Sequence, residues 1–95
     1  MQVRRVDPRD ARWEVSRPVY RVYFWERLMP ERPDSAWGSD EWQLEDADID
    51  EVLNWARSRA AGRRFVVYAG VVGGQPEGPG LVRLLGTDPL DEPDE

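Results

Sequence analysis

Apolar and polar residues alternate most regularly between Val19 and Leu28. Tyr20, Val22, Phe24 and Leu28 fall on one side of this segment, and Arg21, Tyr23, Trp25 and Arg27 on the other. A period of two in β-branched and aromatic residues predicts a strand with one face toward a core. Arg64 to Val72 repeats the pattern, with Phe65, Val67, Ala69 and Val71 inward and Arg64, Val66 and Tyr68 outward. Shorter strands are predicted at Glu41–Glu45 and Leu81–Leu85. Arg12 to Val15 could open a further one ahead of Pro18, a residue tolerated at an edge or a bulge.

Between the second and third strand segments the period changes to that of a helix. Ile49, Val52, Leu53, Ala56 and Ala60 fall on one face. Asp48 is placed to cap the first turn, and Glu51 to reach back to it as in a capping box. Asp50 and Glu51 suit the positive end of the helix dipole, and Arg57, Arg59, Arg63 and Arg64 the negative end, with Gly62 as the stop. Met29 to Ser39 carries Pro30, Pro33 and Gly38 and reads as a long irregular loop anchored by Trp37, a length that suits a binding role.

The resulting order, β-β-α-β-β, predicts an α+β domain: a four-stranded, mostly antiparallel sheet with one helix packed on one face. Residues 1–11 read as a flexible N-terminal segment, 12–86 as the domain and 87–95 as an acidic, disordered tail. One helix covers one face of such a sheet. The opposite face then carries an arginine and aromatic stripe: Arg21, Tyr23, Trp25 and Arg27, with Tyr68 and Arg83 from neighbouring strands. These six are the candidate partner-binding residues, because Tyr, Trp and Arg dominate binding hot spots. The plainer alternative is that the arginine stems lie over the rings with no partner involved. Aromatics on an open sheet are also a platform on which nucleic-acid bases stack.

Composition narrows the chemistry. The chain has no lysine, histidine or cysteine, and all 13 basic residues are arginine. Most side chains that serve as nucleophiles, general bases or soft metal ligands near neutral pH are therefore missing. The expectation is a protein that is not an enzyme and holds no cofactor and no metal. Glu26, predicted on the core-facing side of its strand, is the carboxylate whose environment would most resemble a functional one. Asp46, Asp48, Asp50 and Glu51 begin like a calcium-binding loop, but the sixth and twelfth positions hold Glu51 and Arg57 where glycine and glutamate are needed. The glycine-rich run from Gly70 to Gly80 lacks the lysine and hydroxyl of a phosphate-binding loop and leads into a strand, so it reads as a hairpin connection.

Charge adds one more constraint. The formal net charge is −6, which argues against nucleic acid and anionic membranes as partners. It is unevenly placed: residues 33–56 hold eight acids and no base, whereas residues 57–83 hold five arginines and one acid. Segments of opposite sign attract, and the stretch Asp40 to Glu51 together with the acidic tail could face a basic partner as inhibitor or immunity proteins do. No apolar run approaches the roughly 20 residues of a membrane span, and no signal-like apolar stretch opens the chain, so a cytoplasmic location is expected. Arginine without lysine, together with abundant Gly, Ala, Pro and Val, suggests a bacterial genome rich in G and C. The function expected is an interaction module that docks a protein partner or pairs with itself through the stripe.

Overall fold

The computed structural model describes residues 1–10, 18–71 and 80–91. The expected strand at Arg12–Val15, the hairpin connection at 72–79 and the last four residues of the tail lie outside the described residues. The described elements run β1 (Tyr20–Arg27), β2 (Trp37–Leu44), α1 (Ile49–Arg59), β3 (Arg64–Val71) and β4 (Gly80–Leu85). Short 3-10 turns occupy Pro8–Asp10 and Pro89–Asp91. The last of these gives the described part of the tail a turn, with Pro89 buried.

The sheet is four-stranded, in the order β2-β1-β3-β4, and every pairing is antiparallel. This is the α+β architecture expected from the pattern. β2 is longer than expected, because Trp37 to Asp40 pair with Phe24 to Arg27 instead of looping free. The true loop is closed by Leu28, whose backbone N–H donates to the Ala36 carbonyl at 2.9 Å, and by Ser35, whose hydroxyl donates to the Met29 carbonyl at 2.9 Å.

α1 forms where the helical period begins. Asp48 holds an extended conformation at the N-cap, and its backbone N–H donates to the Glu51 carboxylate at 3.2 Å, half of a capping box. The chain leaves α1 through Ala61 and Gly62, both at positive φ, which reverses the backbone as a C-terminal cap does. Eleven residues give about 16 Å of helix. That length covers the middle of the sheet. Tyr20, Val22, Phe24 and Val67 pack against Val52, Ala56 and Ala60 in the core.

The limited reach of α1 corrects three placements. Leu28 falls beyond β1 and is exposed, Ile49 at the first turn is exposed, and Glu26 is exposed. Glu26 pairs in register with Gly38 near the end of the sheet, past the footprint of the helix, so it is not a buried carboxylate. Gly86 is fixed by geometry: its φ is +86°, and a Cβ there would sit 2.4 Å from the Phe65 carbonyl oxygen. Only glycine lets the chain pass β3 this closely.

Candidate binding surface

β1 presents its even-numbered residues to α1 and its odd-numbered residues to the opposite, outer face. The register sets the outer face row by row. Arg21 lies between Gln43 and Tyr68, and Tyr68 pairs onward with Arg83. Tyr23 lies between Glu41 and Val66, and Trp25 between Ser39 and Arg64.

Four of the six candidate residues are brought together. The rings of Tyr23 and Tyr68 lie 5.1 Å apart, centroid to centroid, at an angle of 54°. Arg21 donates from Nε to the Gln43 side-chain oxygen at 3.1 Å and approaches the Tyr23 hydroxyl at 3.5 Å. Arg83 flanks Tyr68 from β4 and donates to the Gly86 carbonyl. Arg21, Tyr23 and Tyr68 are half-buried and Arg83 is exposed. The cluster is thus two tilted phenol rings in contact, with Arg21 hydrogen-bonded beside Tyr23 and Arg83 in register with Tyr68.

The other two candidates are placed differently. Trp25 faces outward as the alternation requires, but it is only 8% exposed, and Val66 on the same face is fully buried. Both lie on the two central strands, β1 and β3. The expectation that Trp25 offers an open ring is therefore corrected. Its indole N–H is buried without a hydrogen-bond partner among the described residues. Arg27 turns to the sheet end, where its guanidinium stacks 4.1 Å from the Trp37 ring centroid and donates to the Ser35 carbonyl.

Arginine stems over rings are a general device of this fold, but on other rings than expected. Arg64 also approaches Trp37, 5.7 Å from its ring centroid. On the helix side Arg59 lies 4.2 Å from the Trp42 ring and 5.4 Å from Trp55. The two indoles meet edge to face at 5.7 Å. Arg63 lies 4.6 Å over Phe24, donates to the carbonyls of Ala60 and Arg59, and pairs with Asp40 at 3.3 Å. The Trp42 indole and the Arg63 guanidinium together hold the Asp40 carboxyl below its usual range. Sequence reasoning placed Trp37 in a loop and so missed its role as the platform for Arg27. Extending the alternation of β2 backward from Trp42 through Asp40 was the available signal, obscured by Gly38.

Among the described residues no cluster of three or more acidic side chains is arranged to hold a metal ion. No helix among them is long and apolar enough to cross a membrane. No protein-family model, curated protein or solved structure matches this chain.

Proposed function

We propose that this protein is a small non-catalytic interaction module that docks a protein partner through the outer face of its sheet. The observation that carries this reading is the tyrosine pair between Arg21 and Arg83. Tyr23 and Tyr68 stay partly accessible on the side of the sheet away from α1. They combine an apolar body with a polar tip, the character enriched at interface centres. The arginines at either end supply planar donors suited to carboxylates, so the partner surface is an apolar centre bordered by Asp or Glu. The buried Trp25 and Val66 serve as the floor of this surface, and Arg27 belongs to the Trp37 stack. A net charge of −6 disfavours a nucleic-acid strand on the same face.

The test compares affinity capture from cell extract by the wild-type chain and by the double variant Tyr23→Ser, Tyr68→Ser. Proteins retained by the wild type should be lost from a variant whose thermal unfolding remains cooperative. A variant that keeps every partner of the wild type removes the reading.

A further inference from the structure

The two edges of the sheet differ in kind. β4 exposes Leu81, Val82, Leu84 and Leu85 around Arg83, whereas β2 exposes Ser39, Asp40, Glu41 and Gln43, with Glu45 just beyond its end. Among the described residues no strand pairs with the outer side of β2, so its backbone donors and acceptors there are a template for an added strand. Asp40 is engaged by Arg63. Among the described residues Glu41 and Glu45 take one hydrogen bond each, from Ser39 and Gln43, and none from an arginine.

The complement lies at the other end of the chain. Residues 1–6 include Arg4 and Arg5 and no acid. All six are exposed, with Val3 at 82% and Val6 at 62%. Neither Arg4 nor Arg5 has a partner among the described residues, whereas Arg9 is paired with Asp7. In an added strand alternate residues face opposite sides. Each side of this segment then carries one valine and one arginine: Val3 with Arg5, and Arg4 with Val6. β2 is alternate in the same way. Asp40 and the partly exposed Trp42 lie on the helix side, and Glu41 continues toward Glu45 on the outer side.

We propose that the outer edge of β2 accepts residues 2–6 of a second copy of this chain as an added strand, with one of Arg4 and Arg5 facing Glu41 and Glu45 on the outer side and the other facing Asp40 on the helix side. Charge selects this edge over β4, where Arg83 would repel the segment. The segment is not folded back on its own β2, so the donor is another copy. A reciprocal exchange closes at the dimer and uses the contact twice. The net charge of −6 on each copy opposes association at long range. At physiological salt the Debye length of about 8 Å leaves contact pairs less affected than that distant repulsion. The inference is independent of the outer-face reading, since it uses neither Tyr23 nor Tyr68.

The experiment is sedimentation equilibrium of the full chain at about 100 µM, above the micromolar Kd of a weak interface. The full chain should show twice the chain mass. Deletion of residues 1–6, the pair Arg4→Glu, Arg5→Glu, and the triple Asp40→Arg, Glu41→Arg, Glu45→Arg should each return it to a monomer. The five-residue charge swap, which covers both sides of the strand, should restore the dimer, and Tyr23→Ser, Tyr68→Ser should keep it. A monomeric wild type, a dimer that survives deletion of residues 1–6, or a charge swap that fails to restore the dimer each overturns the proposal.

Discussion

Phe24 and Trp25 are neighbours in the chain, both buried, and they face opposite sides of the same strand. Phe24 is enclosed on the helix side by Trp55 at 5.7 Å, Phe65 at 6.1 Å and the Arg63 guanidinium at 4.6 Å. Trp25 is buried on the outer side, and its indole N–H has no partner among the described residues. Burial alone therefore does not make the two sides equivalent. The helix side is a packed core flanked by Arg59 and Arg63, and the outer side buries Trp25 with an indole N–H that has no partner among the described residues.

The largest test of that contrast is Phe24→Ala. It removes the ring at the centre of the core and should cost about 3–5 kcal/mol, a large part of the roughly 5–14 kcal/mol expected for a chain of this length. Urea unfolding would measure it, and a loss under about 1 kcal/mol would mean that the helix side is not the main core. Trp25→Phe is the matched change on the outer side. It gives up part of an indole but relieves an unpartnered donor whose burial costs about 1–3 kcal/mol. Stability within about 1 kcal/mol of wild type is expected, and a drop as large as that of Phe24→Ala would show that the indole N–H is satisfied in solution.

Asp40→Asn has the smallest effect and probes the rim of the helix side. The folded Asp40 carboxyl lies below its ordinary range because the Trp42 indole and Arg63 favour its charged form. A depressed carboxyl contributes stability above the unfolded pKa of about 3.9, and that contribution is lost as pH falls through the lower folded value. The difference in melting temperature between wild type and variant should therefore be largest near neutral pH and shrink in acid below about pH 4. A difference that stays constant across this range would separate Asp40 from the titration.

Much of this was legible in the chain. The alternation of Val19–Leu28 gave β1 and its two faces, and the shift to helical spacing at Asp48 gave α1 with its Glu51 contact. The grouping of Arg21, Tyr23, Tyr68 and Arg83 followed once the strands were assigned, because side-chain direction in a strand is set by parity. Trp37 and Trp25 were misjudged for different reasons. Glycine at position 38 hid the start of β2, and parity alone cannot report whether an outward ring is buried.

The sequence by itself determined the elements, their order and the face to which each β1 side chain points, since these depend on local periodicity and capping chemistry. Only the tertiary structure decided that β1 and β3 are central, that Trp25 and Val66 are covered, and that Arg27, Arg59, Arg63 and Arg64 stack on particular rings. Those outcomes depend on strand order and register, which join residues far apart in the chain and leave no periodic trace within it.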